Sequence, residues 1–368
     1  YLDNTHKVSG DEFILGLHGR PVLPLGTITV QETRAPEGYE INPQIYVANT
    51  TLQGASSVVT TNLPNTDTYY ATEQVIRGDL EFLKTDKETG AVMAGIPFRI
   101  TSETTGESHV IVTDETGQAS TELANHSWKT NKNDEVTDES NYSPSFGIWF
   151  GESDPDDTKG ALPYDTYTLE ELPCSANYGK DLLVLGGIPV KEAGVSIDLG
   201  ELTNQTIHIK SEAVDAKTGT HTIAAERDAR ITDNYIIQGL TAGRTYRLAV
   251  TARDAKTGVP IEKNGVPVTS ETTVVSGGNS ASATVELLLD TYSMAGTAIV
   301  CTADLYWMDQ KIASHEDLLD QAQTVYVPTI GTTAKDGQTQ SHTGSVGKET
   351  TLIDIVAYTG LTQGKEYE

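Results

Sequence analysis

Lys84 is the first side chain in this sequence whose setting suggests reactivity. It closes the alternating run Leu80-Glu81-Phe82-Leu83-Lys84, directly after two apolar residues. A lysine attacks a carbonyl only as the neutral amine, and burial lowers its pKa. Glu171 closes a second alternating run, Thr166-Tyr167-Thr168-Leu169-Glu170-Glu171. A buried carboxylic acid keeps its proton, and it can polarise an amide or shuttle a proton to a leaving group. The plainer alternative is a solvated strand lysine and a surface acid, because buried Lys and Glu are rare. A denser group follows at Ser314-His315-Glu316-Asp317-Leu318-Leu319-Asp320, with Gln323 just beyond. His315 and Asp317 there can move protons, or simply satisfy backbone groups in a capped surface turn.

Other groupings lead away from turnover chemistry. Gly344-Ser345-Val346-Gly347-Lys348-Glu349 lacks phosphate-loop spacing and reads as a turn. Asp154-x-Asp156-x-Thr158 starts like a calcium loop, but Lys159 stands where glycine is needed and no glutamate closes it. Weak calcium binding by that acidic loop stays open. His315-x-Asp317 has no third ligand, so no metal site is expected. No Gly-x-Ser-x-Gly elbow occurs. The sequence calls for no cofactor. Cys174 and Cys301 are the only cysteines. They are expected as free core thiols, since two in this length make neither a disulfide framework nor a thiolate metal site.

The elements that must position these residues are strands. Leu80–Lys84, Thr166–Glu171, Ile207–Lys210 and Thr245–Val250 alternate with period two. Turn signals interrupt them at Thr89-Gly90, Lys217-Thr218-Gly219, Lys256-Thr257-Gly258 and Asn264-Gly265. Short strands with regular turns predict β-sandwiches. One helical turn is expected at Ser314–Asp320, with Ser314 as its N-cap. The chain has 368 residues and a formal net charge of −27. Such charge argues against nucleic-acid binding and favours a soluble protein that repels its own copies. No apolar run approaches the length of a membrane span.

Two internal repeats divide the chain. At an offset of 139, Leu23-Pro24 through Glu32 falls on Leu162-Pro163 through Glu171, and Tyr39 falls on Tyr178. At an offset of 121 and without gaps, Ala213, Asp215, Thr218, His221, Asp233, Gly239-Leu240-Thr241, Gly243 and Tyr246 recur from Ala334 to Tyr367. The predicted units are 1–76, 77–204, 205–327 and 328–368, the first and last being partial copies. The chain is therefore expected to be a piece of a longer protein. A polar insertion, 102–160, is expected as a surface loop in the second unit. Trp149 and Phe150 are expected to pack it onto the sandwich. The alternative is a binding module in which Trp128, Tyr142, Trp149 and Phe150 contact a host glycan or protein.

Gly78-Asp79-Leu80-Glu81-Phe82-Leu83-Lys84-Thr85-Asp86, Ala94-Gly95-Ile96-Pro97-Phe98, Tyr167-x-Leu169-x-Glu171 and Asn204 together resemble a Cna-B (SpaA-type pilin) domain. Val30-Gln31-Glu32-Thr33-Arg34-Ala35-Pro36-Glu37-Gly38-Tyr39 is similar to that family's closing motif. Ile312-Ala313-Ser314-His315-x-Asp317-x-x-Asp320-x-x-Gln323-Thr324-Val325 resembles the VaFE repeat of Gram-positive surface-anchored proteins. The fold implied is all-β: tandem immunoglobulin-like (Cna-B type) β-sandwich domains in an elongated array.

The resemblance implies self-made cross-links. Lys84 would join Asn204 as an isopeptide with Glu171 as the acid, while Asn177 and Asp198 lie in the same half and keep the amide partner open. In the third unit Gln323 would be the acyl donor of an ester, with His315, Asp317 and Asp320 in its motif. The 121-residue offset maps Thr332 onto Ser211, which makes Ser211 the hydroxyl. Ala303 stands where the family has its acid, so an uncross-linked, degenerate repeat is the alternative. The first unit keeps the acid Glu32 and offers Asn49, but Lys7 does not sit in the motif, so no complete bond is expected within 1–76. The implied role is structural: a stalk of a cell-wall-anchored, extracellular adhesin or pilus-like fibre. Its attachment to the bacterial cell wall would run through regions outside this chain, and it would not be an enzyme in the turnover sense.

Overall fold

The computed structural model describes residues 10–22, 25–50, 73–122, 129–344 and 346–361. Almost all of its regular structure is β-strand, relieved by short 3-10 turns. The first unit contributes β1 (Gly26–Gln31), β2 (Tyr39–Glu40), β3 (Ile45–Thr50) and β4 (Gln74–Val75). β1 pairs antiparallel with β3, and β2 with β4.

The second unit is a sandwich of β5 (Arg77–Asp86), β6 (Pro97–Ser102), β7 (Ser108–Val112), β8 (Gln118–Ser120), β9 (Leu162–Pro163), β10 (Asp165–Glu171), β11 (Val184–Val190) and β12 (Ser196–Asn204). One sheet runs β11-β10-β6-β7 and the other β12-β5-β8, with β9 also on β5. Leu80, Ile96, Phe98, Ile100, Tyr167 and Leu169 fill the space between them and are essentially inaccessible. The alternation that predicted β5 and β10 is what supplies these inward side chains. β5 and β12, the first and last strands, lie side by side and run parallel.

β7 and β8 correct the predicted insertion. The region from 102 to about 120 is sandwich, with Val110, Ile111, Val112 and Ala119 buried, and the irregular excursion begins only after β8. Its Ser- and Thr-rich composition hid two strands whose buried faces are short. Trp128 lies outside the described residues. Trp149 and Phe150 are buried, as expected. The Arg77 guanidinium stacks on Trp149 at 3.7 Å and donates to the carbonyls of Phe150 (2.5 Å) and Ala161 (3.0 Å). Those two aromatics therefore fasten the excursion down and do not form an exposed ligand platform. His109 on β7 adds a second fastening, with Nδ1 2.7 Å from Asp134 and Nε2 3.0 Å from Glu107.

The third unit contains β13 (His208–Asp215), β14 (Ala229–Gln238), β15 (Thr245–Asp254), β16 (Glu262–Lys263), β17 (Val266–Pro267), β18 (Thr269–Val275), β19 (Ser280–Leu289), β20 (Ala298–Trp307), β21 (Gln310–His315) and β22 (Thr324–Tyr326). Its sheets run β13-β14-β19 and β18-β15-β20-β21, with β22 also on β20. It has a separate core around Ile231, Tyr235, Leu248, Val250 and Leu305. β23 (Thr329–Asp336) and β24 (Leu352–Thr359) follow as a hairpin. Ala334 pairs with Asp354 there as Ala213 pairs with Asp233 in the third unit, so the 121-residue repeat holds strand for strand.

The predicted helical turn at 314–320 does not form. Ser314 and His315 extend β21, and Ser314 Oγ accepts from Tyr178 OH at 2.8 Å. β20 supplies this stretch with ladder partners, which outweighs a single capping serine.

The second and third units are joined by the segment after Asn177. Gly179 N–H donates to Ile312 O, and Ile207 N–H returns to Gly179 O, both at 2.8 Å. Asp181 is buried against the third unit, accepting from Tyr246 OH (2.9 Å) and Arg244 (3.1 Å), with Thr241 also in contact. Leu182 packs into the third unit's core. Gly239, at φ 83°, lies against the connecting segment, where a Cβ would come within 1.9 Å of Thr206 O. No larger residue fits that crossing.

Candidate functional site

The second unit brings Lys84, Glu171 and Asn204 together. Lys84 pairs in register with Leu202. Asn204 lies two residues further along, so its side chain leaves the same face of the sheet. Glu171 comes from β10 on the opposite sheet. Lys84 and Asn204 are 0% exposed and Glu171 1%. Lys84 Nζ touches Asn204 Oδ1 and stands 3.4 Å from Glu171 Oε2. Asn204 Nδ2 donates to Glu171 Oε1 at 2.7 Å. Burial pushes the Lys84 pKa down, and the neighbouring Glu171 only partly opposes it. The Phe98 ring lies 6.0 Å from the amine. This is the setting in which a lysine supplies a neutral amine, with an amide and an acid at hand.

The two alternative partners for Lys84, Asn177 and Asp198, resolve differently. Asp198 is exposed, in an irregular stretch of β12, and accepts from Gly200 N–H at 2.7 Å. Asn177 is buried in the site, but it acts as a donor to Glu171 Oε1 at 2.9 Å. Cys174 departs from the expected core thiol and is only half-buried, whereas Cys301 is fully buried. Burial raises both thiol pKa values.

The third unit places Ser211 against Gln323. The segment before β22 runs beside β13, with Ala213 N–H donating to Ala322 O at 2.8 Å. Gln323 is 0% exposed, and its Nε2 donates to Ser211 Oγ at 2.6 Å. Its Oε1 is buried without a partner among the described residues. Ala303 is buried and is the register partner of His315. His315 Nε2 pairs with Asp320 at 2.9 Å. Asp317 does not join them: it is exposed and caps a turn by accepting Leu319 N–H at 2.9 Å.

An acid that sequence reasoning missed occupies this site. Asp233 on β14 is 0% exposed, accepts from Tyr235 OH at 2.5 Å, and has Oδ1 buried with no partner among the described residues. Ser211, His315 and Asp320 are near enough to bear on its titration. Burial pushes its pKa up to about 6. The signal was available: Ala229, Ile231, Asp233, Tyr235 and Ile237 share the inward face of β14.

In the first unit Glu32 accepts Asn42 N–H at 2.6 Å. Asn49 pairs in register with Thr27 on β1, but its side chain and Lys7 lie outside the description. Among the described residues no cluster of three or more His, Cys, Asp or Glu could hold a metal, and no helix is long and apolar enough to cross a membrane.

Comparison with known proteins bears on the second of these sites. Residues 207–327 match the model of the T-Q ester bond containing domain, and residues 328–368 match it again. The T-Q match covers the Ser211–Gln323 pair and the β23–β24 hairpin. No curated relative matches the chain. Among solved structures, the chain is similar to a bacterial adhesin from Mobiluncus mulieris containing intramolecular disulfide, isopeptide and ester bond cross-links. The identity is 11%, the TM-score 0.27, and the likeness covers 42% of this chain and 74% of that one. It is also similar to the major pilin SpaD from Corynebacterium diphtheriae, at 11% identity and TM-score 0.31, over 71% of this chain and 67% of that one. The Bacillus anthracis TIE protein gives 16% identity and TM-score 0.32, over 82% of this chain and 41% of that one.

Proposed function

We propose that this chain is a structural stalk segment of an extracellular, cell-wall-anchored Gram-positive adhesin or pilus-like protein, hardened by cross-links that it makes within itself. The observation that carries this reading is the fully buried Lys84–Glu171–Asn204 group between the first and last strands of one sandwich. An unreacted lysine in that position is costly to bury, whereas an amide bond there removes the charge. Each centre reacts once on its own chain, so the chemistry is not turnover.

In the third unit the T-Q match and the Ser211–Gln323 hydrogen bond support an ester. Serine offers the same nucleophilic oxygen as threonine. With alanine at position 303, the fully buried Asp233 carboxyl takes the assisting role.

Intact mass of the folded chain tests both bonds. Each bond expels one ammonia, about 17 Da. A deficit of one ammonia that disappears in Lys84→Ala supports the isopeptide alone, and a deficit of two supports both bonds. A mass equal to that of the sequence would refute the cross-linked stalk.

A further inference from the structure

We propose that Asn177 is a positioning residue for the Lys84–Asn204 reaction, holding the Glu171 carboxyl so that each of its oxygens serves one reacting nitrogen. This rests on the isopeptide reading above. The 139-residue repeat places Asn177 on Gly38 of the first unit, so the side chain is a feature of the second unit and not of the repeat.

The orientation of the Asn177 amide follows from its partners. The Cys174 backbone N–H can only donate, so the atom 2.8 Å from it is Oδ1. Nδ2 therefore faces the other way, donating to Leu172 O and to Glu171 Oε1, each at 2.9 Å. Turning the amide over would break all three bonds in a place 1% exposed. The loop that carries Asn177 is itself pinned to the third unit through Tyr178 OH to Ser314 and Gly179 N–H to Ile312.

Glu171 Oε1 thus receives N–H groups from Asn177 and from Asn204. Oε2 receives Leu183 N–H at 3.1 Å and faces Lys84 Nζ at 3.4 Å. The step balances on this arrangement. The neutral Lys84 Nζ bonds to Asn204 Cγ and gives a proton to Oε2. The Glu171 carboxyl passes one on to Asn204 Nδ2, which its Oε1 side faces. The Cγ–Nδ2 bond breaks with its electron pair on nitrogen, and ammonia leaves. A carboxyl turned out of this plane cannot accept and donate at once.

The test is a time course of intact mass on freshly purified full chain, wild type against Asn177→Asp and Asn177→Gly, from pH 5 to 8. Wild type should carry the deficit throughout. Asn177→Asp keeps the shape but loses the donor, and should form the bond about tenfold or more slowly at pH 7.5. It should recover towards pH 5, where a protonated aspartic acid donates again. Asn177→Gly installs the first unit's residue and should be slow at every pH. Wild-type rates in both variants across the range would overturn the positioning role while leaving the cross-link intact. A wild type without the deficit would overturn the cross-link reading, and this inference with it.

Discussion

Lys84 and Asn204 are 120 residues apart in the chain and in side-chain contact. They are brought there by parallel pairing of the first and last strands of the second unit. Because the partner of Lys84 is Leu202 and not Asn204, the two reacting side chains approach diagonally across one sheet face. Replacing Glu171 by Gln keeps the shape and removes the acid. Glu171→Gln should therefore leave the chain about 16 Da heavier than wild type, the retained ammonia of about 17 Da less about 1 Da for the substitution itself, with Lys84 recovered as a free amine after denaturation and amine labelling. A wild-type mass in Glu171→Gln would dismiss the acid's role.

Asp233 predicts a pH dependence in the third unit. Its folded pKa, about 6, lies above the ordinary 3.8, so the fold favours the protonated form. That contribution is fully present below about pH 4 and is lost as pH rises through 6. The loss amounts to about 3 kcal/mol. Thermal unfolding of a Gln323→Ala background, with and without Asp233→Asn, should show the decline only where the aspartate is present. Parallel curves from pH 4 to 7 would contradict it.

Replacing Asp233 in the wild-type background reads out its chemistry. With alanine at position 303 supplying no carboxyl, Asp233→Ala should prevent the second ammonia loss and leave the first untouched. Mass after digestion, assigned to peptides holding Ser211 and Gln323, decides the matter.

His109 holds the excursion after β8 to the sandwich between Glu107 and Asp134. Burial opposes its charge, but the two carboxylates prevail and its pKa is raised. A raised histidine stabilises below its unfolded pKa of about 6.5, and this is lost as pH rises through the folded value. Proteolytic nicking between 129 and 147 should therefore speed up on the alkaline side of neutrality. In His109→Gln it should be fast and pH-insensitive. Equal, pH-independent rates in both would remove the clamp.

Asp181 should govern how the second and third units unfold together. Asp181→Ala leaves Arg244, Tyr246 OH and Thr241 without their buried acceptor, a loss of about 3–5 kcal/mol by analogy with broken buried pairs. Calorimetry should then resolve two transitions where wild type gives a more unified one. An unchanged trace would mean the joint is not what couples them.

How much of this was legible before the structure depends on which physical signal each residue leaves. Lys84 and Glu171 each close an alternating apolar run, which put them on a strand face but left a solvated lysine and a surface acid as the plainer reading until the resemblance was added. Asn204 followed only from resemblance, since an amide at a strand end carries no periodicity. Asp233 sat in plain alternation with Ile231 and Tyr235 and was passed over because acids are seldom buried. β7 and β8 escaped because a strand of three to five residues is too short for a pattern to emerge from Ser and Thr. The Ser314 turn went wrong for the opposite reason. A local capping motif was visible, and the β20 ladder that overrides it was not.

The parallel β5–β12 pairing also sets how much chain the second unit can yield under load. A tether pulling on both sides of this unit enters β5 at Arg77, runs along it to Lys84, and leaves β12 at Asn204. Without a bridge, unfolding would release roughly 400 Å of contour from the 120 residues between them. With Nζ bonded to Cγ, that length lies outside the loaded path, and the unit passes tension through a single side-chain link while its two sheets stay folded around it.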